Sequence, residues 1–226
     1  MFDFGIVSSS LPRLADGALL TLGLTALVVA LGTVLALPVA LARNSARGWL
    51  RRVAGGYIAF FRGTPALVQV FLLYYGASQF QAIQDSWLWV VLRDPFWCVV
   101  IALGLNSASY TGKTLAAALA AVPRGAKEAA FSLGLAKHQS FLTVEMPIAT
   151  RTALPAFGNE IILTCKATSL ASTVTLLDLT GTARLISAET YAPYEVFISA
   201  GLVYLAINYG LMFVFRKVET NFRYAY

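Results

Sequence analysis

Pro123-Arg124-Gly125-Ala126-Lys127-Glu128-Ala129-Ala130-Phe131-Ser132-Leu133-Gly134, continuing to Met146-Pro147, is a polar, glycine-punctuated stretch in a chain otherwise built of long apolar runs. Pro123 suits the first turn of a helix, where its missing N–H costs nothing, and Gly134 suits the stop. Between them lie helix formers, and Lys137 to Glu145 offers a second short helix before Pro147. The stretch predicts a compact helical knob on the water side of a membrane. Small Ala129 and Ala130 would permit close approach, and Phe131 would anchor in a partner's pocket. The competing reading is an amphipathic turn lying on lipid headgroups.

Composition agrees with a membrane setting. Of the 226 residues, 58% are hydrophobic and only 12% charged, where a soluble domain carries about a quarter. Mean hydropathy is +0.70. The net charge of +6 is then first a topology signal. No basic stretch is interleaved with aromatics, so a nucleic-acid partner is set aside.

Runs at about 18–42, 63–84, 95–118 and 196–215 have the length that crosses a hydrocarbon core of about 30 Å. The first is too long for a cleaved leader, has no basic segment before it, and meets Arg43 where small residues are expected, so it reads as an anchor. Arg43, Arg47, Arg51, Arg52 and Arg62 follow the first run, Arg124, Lys127 and Lys137 the third, and Arg216, Lys217 and Arg223 the last. The positive-inside rule puts all three clusters in the cytoplasm and the N-terminus outside. Four crossings would leave Arg216 and Lys217 on the wrong side. A fifth span at about 148–175 is therefore required, although it carries Glu160 and Lys166 and although Pro147 and Pro155 would break or bend it. The expectation is an all-α integral membrane protein of five spans forming one domain, 1–226, with its C-terminus cytoplasmic.

Ionisable groups at membrane depth face a bundle interior or a water-filled cavity, so the fifth span is the candidate pathway wall. Glu160 and Lys166 are about 120° apart on a helix, whereas Asn159 and Lys166 share a face. The plainer reading has Glu160 and Lys166 snorkelling from opposite ends of a short span, or Glu160 only holding two spans together.

Catalytic constellations are lacking. His138 is the one histidine, Cys98 and Cys165 are not spaced as a metal site, and no phosphate-binding Gly-x-x-x-x-Gly-Lys-Ser/Thr loop exists. The expectation is no catalytic centre, no metal and no ATP site in this chain.

The order Glu128-Ala129-Ala130, Gly134, Val144, Met146-Pro147 resembles the EAA loop of ABC importer permease subunits, with Met where Leu is usual. Arg62-Gly63-Thr64-Pro65 followed by Gln69 and Tyr74-Tyr75-Gly76 is similar to a segment of the polar amino acid branch, which imports histidine, arginine, ornithine or opines. Ala153 to Glu160, Lys166-Ala167-Thr168-Ser169-Leu170, Leu179 to Arg184 and Thr190 to Pro193 extend the likeness over nearly the whole chain, as does Gly17 with Thr21.

The resemblance implies a subunit of a bacterial inner-membrane importer. It would pair with a second permease, whether a copy of itself or a paralogue, with ATPase subunits that bind the ATP and magnesium, and with a periplasmic binding protein. Glu128, Ala129, Ala130, Phe131, Gly134 and Pro147 would form the element that docks on the ATPase, with Glu128 fixing the loop through hydrogen bonds. Asn159, Glu160, Lys166, Thr168 and Ser169 would supply polar groups along the pathway of a polar, basic amino acid or opine. One departure stands out: Lys113 occupies a position where the family usually has glutamate. The alternative function is an ion-coupled secondary transporter using Glu160 and Lys166; the docking loop argues against it.

Overall fold

Asp3 opens the first helix. Its Oδ1 accepts the Gly5 N–H at 2.7 Å, satisfying a donor that the first turn leaves without a helical partner. From there α1 (Phe4–Arg43) runs for 40 residues, about 60 Å. It begins well ahead of the expected 18–42 and contains Pro12 and Pro38. The computed structural model describes residues 3–223, and the regular structure among them is helical. The side chain of Arg223, counted above in the last basic cluster, lies outside the described residues, as do residues 1–2 and 224–226 of the expected domain. The further helices are α2 (Gly48–Gly63), α3 (Ala66–Ala77), α4 (Pro95–Ala120), α5 (Arg124–Ser132), α6 (Met146–Ala167), α7 (Leu179–Thr190) and α8 (Pro193–Arg223).

The expected 63–84 span is not one helix. α2 and α3 meet at 99° across Thr64 and Pro65, and α3, at 12 residues, is only about 18 Å long. Pro65 pushes Thr64 into extended backbone (φ −114°, ψ 144°). It also has no N–H for the Phe61 carbonyl, four residues back. Two amides take over: Gln69 Nε2 and Asn106 Nδ2 each donate to Phe61 O at 3.0 Å, and Asn106 Nδ2 also donates to Gln69 Oε1 at 2.9 Å. The break is therefore satisfied from within the bundle, as backbone at membrane depth has to be.

By length and apolarity, α1 and Pro193–Asn221 each suffice to cross a membrane, and the two bent pairs, α2 with α3 and Lys137–Val174 with α7, raise that to four. The expected span at 95–118 falls on α4, which is 26 residues long. Asn106, Ser107, Ser109, Tyr110 and Thr111 dilute its apolarity. It tolerates them because it packs against α1, α2, α3 and α6 and so turns little surface outward.

The prolines of the 148–175 region do not break it. Helical backbone is continuous from Lys137 to Val174, and the 48° bend comes only before Leu179. Pro147 leaves its mark just upstream, where the turn Phe141–Glu145 widens to π geometry and Met146 N–H reaches Phe141 O. Pro155 sits within α6 at the surface, where it removes one backbone donor and no more.

Three apolar cores are strung along α1. Leu14 packs with Leu179, Ile186 and Val196; Leu24 and Val28 pack with Val70, Val99 and Val174; Ala40 packs with Ala116, Leu119 and Ala149. The seam between α1 and α4 is lined by small buried residues four apart: Gly32, Ala36 and Ala40 face Gly104, Ala108, Gly112 and Ala116. A Cβ on Gly32 would stand 2.9 Å from Ser107 Oγ, and one on Gly112 would stand 2.8 Å from Val39 Cγ1. Close backbone approach of this kind replaces the hydrophobic drive that lipid withholds from helix pairs.

Candidate functional site

The candidate docking element is built by its turns. Pro123 precedes α5, and the helix ends with Gly134 N–H on Phe131 O at 2.9 Å and Leu135 N–H on Ala130 O at 3.1 Å. This doubly bonded stop needs a left-handed residue, and Gly134 has φ +80°. A Cβ there would meet nothing within 4 Å, so backbone conformation rather than space calls for glycine. Gln139 Oε1 accepts the Ala136 N–H at 2.9 Å and starts the next turn. Lys127 Nζ then lies 2.8 Å from Glu145 Oε2, tying α5 to the head of the long helix.

The expected docking residues are placed as follows. Ala130 is buried under α5, while Glu128, Ala129, Phe131, Gly134 and Pro147 are exposed. The tie across the loop is made by Lys127, not by Glu128, to which the resemblance assigned it. Leu133 is 81% exposed and, with Phe131 and Leu142, gives the knob an apolar tip. The sequence marks Leu133 only as a helix former and Leu142 not at all, although apolar residues in so polar a stretch are the signal for a covered surface.

The pathway candidates divide. Asn159 and Glu160 line a cavity of about 500 Å³ between α1, α4 and α6, with Thr33, Tyr110, Thr111 and Thr114. The Thr111 hydroxyl is buried and has no hydrogen-bond partner among the described residues. Glu160 also borders a smaller cavity, about 190 Å³, with Asn106, Ser107 and Tyr110. On the other side of Tyr110 lies a third, about 480 Å³, which Arg62, Lys113 and Thr114 line. The Arg62 guanidinium stands over the Tyr110 ring, 4.8 Å from its centroid. Tyr110 thus borders all three spaces and separates a carboxylate from two cations.

Lys166 is elsewhere. It lines a cavity of about 420 Å³ between α6 and α8 with Tyr204, Asn208 and Tyr209. The six-residue offset from Glu160 put them on different faces, and the structure gives each its own cavity. Thr168 Oγ1 and Ser169 Oγ donate to Cys165 O and Lys166 O, each at 2.7 Å, so both hydroxyls are engaged by their own helix. Tyr110, Asn106 and Arg62 also border these cavities, while Gln69 is buried behind them. For Asn106 and Tyr110 the signal was available: polar residues four apart in an otherwise apolar run.

A second polar cluster lies where α7 begins. Asp178, fully buried, accepts from Thr180 N and Gly181 N at 3.1 Å each and from Tyr204 Oη at 3.3 Å, while Leu179 N donates to Thr21 Oγ1 at 3.1 Å. Every contact is internal, so its work is to fasten α1, α7 and α8 together.

The chain matches a family model described as "Binding-protein-dependent transport system inner membrane component" over residues 17–224. It is 43% identical to the octopine transport system permease protein OccM of Rhizobium radiobacter, over 96% of this chain and 89% of that one. It is 41% identical to the arginine ABC transporter permease protein ArtM of Escherichia coli, over 76% and 75%. A crystal structure of an amino acid ABC transporter with histidines superposes with TM-score 0.85 at 32% identity, covering 98% of this chain and 99% of that one. Sequence and fold converge across nearly the full length, and the chain belongs to the family of inner membrane components of binding-protein-dependent transport systems.

Proposed function

We propose that this chain is a five-span importer subunit that moves a basic amino acid, or an opine derived from one, along the α4–α6 face. Its N-terminus is periplasmic and its C-terminus cytoplasmic, and α4 is the span that composition under-scores. α5 docks on an ATPase subunit that binds ATP and magnesium, a second permease completes the membrane unit, and a periplasmic binding protein delivers the substrate. The relatives transport octopine and arginine by name. A guanidinium on such a substrate suits the carboxylate of Glu160, and the unpartnered Thr111 hydroxyl suits a polar occupant of the same cavity.

The observation that carries this reading is one of continuity. Glu145, tied to α5 by Lys127, and Glu160, at the cavity wall, lie on the same unbroken helical run, Lys137–Val174. A displacement of α5 by a closing ATPase would reach the cavity through that rod and change access to Glu160. The alternative, an ion-coupled carrier working through a Glu160–Lys166 pair, finds no support, since those side chains line different cavities.

The test is to purify the tagged chain with whatever accompanies it and to compare wild type with Gly134→Asp. An ATPase should co-purify with wild type, and the substitution should weaken that association and abolish substrate-stimulated hydrolysis. A chain that purifies alone and carries substrate into proteoliposomes without ATP would overturn the proposal.

A further inference from the structure

The hydroxyls of Thr168 and Ser169, expected to line a pathway, belong to a longer run. Thr168, Ser169, Ser172 and Thr173 donate to Cys165 O, Lys166 O, Ser169 O and Leu170 O at 2.7, 2.7, 2.8 and 2.6 Å. Each reaches three residues back. In the α-helices of the bundle, Thr21, Thr25, Thr33 and Thr152 reach four residues back instead. The difference follows the backbone, because Thr168–Val174 is a 3₁₀ helix of seven residues. Its fully buried residues, Thr168, Ala171 and Val174, recur at every third position, which is the 3₁₀ repeat. Ala171 and Val174 pack into the core of Leu24, Val70 and Val99.

Two features mark the segment as strained. A 3₁₀ helix rarely exceeds about three or four residues, since its hydrogen bonds are poorly aligned, and this one is longer. It ends at Thr175, whose φ of +71° puts a β-branched residue in the left-handed region. Thr175 is exposed, so no burial of its side chain demands that conformation. The demand comes from the two ends. Before the segment lies the helical run from Lys137, tied to α5 through Glu145. After it, α7 is fastened to α1 and α8: Asp178 caps it, Leu179 N–H donates to Thr21 Oγ1, and Leu179 and Ile186 pack against Leu14 and Val196. A shift of the run along its axis therefore has to be taken up between Thr168 and Leu177.

We propose that Thr168–Thr175 is an extensible joint between the helical run and α7. This structure holds its extended, strained form. The other form is α-helical, with Thr175 returned to a right-handed φ. A 3₁₀ helix rises about 2.0 Å per residue and an α-helix about 1.5 Å, so conversion of the seven residues shortens the joint by about 3.5 Å. The hydroxyls keep a donor on their carbonyls while the backbone N–H groups exchange acceptors, as backbone at membrane depth requires. The inference rests on the coupling proposed above and adds the place where motion of the run becomes a change of length beyond Glu160.

The test uses the intact transporter with its co-purifying subunits, spin-labelled at Pro155→Cys on α6 and Ala188→Cys on α7, both exposed positions. Cys98 and Cys165 are buried and stay in place. Pulsed electron paramagnetic resonance gives the label distance without nucleotide and after trapping with ATP, magnesium and vanadate. The labelled chain should show two populations that differ by about 3 Å, and trapping should exchange one for the other. Thr175→Gly lowers the cost of the left-handed φ and should shift the ratio several-fold toward the longer distance in both conditions. Thr175→Val, as stiff as threonine, should leave the ratio unchanged. A distance that trapping does not alter would overturn the joint, and so would a Thr175→Gly ratio equal to that of the parent chain. Vanadate trapping with a fixed distance would leave the importer reading standing; absence of a co-purifying ATPase would overturn that reading and this proposal with it. Should Thr175→Gly fail to fold, Ser172→Ala with Thr173→Val removes two hydroxyl donors and should slow uptake roughly fivefold or more, and unchanged uptake would overturn the proposal.

Discussion

The two faces of α4 contrast. Toward α1 the helix presents Gly104, Ala108, Gly112 and Ala116, all buried, and at Gly104 and Gly112 a methyl group would crowd Leu31 and Val39. Toward α2 and α6 it presents Asn106, Tyr110, Lys113 and Thr114, which border open cavities. One face is sealed by small residues and the other held apart by large and polar ones. A helix can therefore be a tight seam and a cavity wall at once, because residues three and four apart share a face and the two sets do not overlap. The sealed face gives the bundle its rigidity. The open face is where the molecule can afford water and charge.

The contrast is most severely tested at Gly112. Gly112→Leu should force α1 and α4 apart at Val39 and Ala36 O, an overpacking cost of about 1–3 kcal/mol or more. The expected outcome is a large drop in detergent melting temperature and in yield; a stable variant would show that the seam is not tight. Across the open face, Glu160→Gln should leave melting nearly unchanged while uptake of a cationic substrate falls at least tenfold, since a lost charge partner costs about 2–5 kcal/mol. Unaltered uptake with the same substrate preference would remove Glu160 from the site. Asn106→Ala strips the Phe61 carbonyl of one of its two amide donors and should lower stability by about 1–3 kcal/mol, read from thermal unfolding. Thr114→Val, on the open face, should melt within experimental error of wild type, and a collapse like that of Gly112→Leu would erase the distinction between the faces. Least affected should be Arg13→Ala: its pair with Glu189 at 2.5 Å is exposed, and no measurable change in melting temperature is expected.

Much of this was legible in the chain. The knob from Pro123 to Gly134 reads correctly because its instructions are local: a proline at the entrance, helix formers, and a glycine whose left-handed φ ends the helix. Glu160 stood out because a carboxylate in an apolar run needs a polar environment, and the cavity supplies one. Other features were less legible because their causes are distant in sequence. The break at Pro65 reads as a local kink, yet it is stable at that depth only because Asn106, forty-five residues on, donates to Phe61 O. α4 was read as a span at 95–118, but why it tolerates its polar residues was not legible, because the neighbours that cover them are distant in sequence. Pro147 and Pro155 were expected to break or bend this span, yet the helix runs through both, with Pro155 at an exposed position.

By itself the sequence determined the helical class, the membrane setting, the short helix that ends at Gly134 and the family likeness, because composition, run length and turn chemistry are short-range and additive. Only the tertiary structure decided which polar residues meet. It placed Glu160 with Asn159, Tyr110 and Thr111, moved Lys166 to a separate cavity, turned the hydroxyls of Thr168 and Ser169 back onto their own helix, and gave the tie across the knob to Lys127 instead of Glu128. Those outcomes depend on the rotation and crossing of whole helices, which the small-residue seam between α1 and α4 sets and which no single segment encodes.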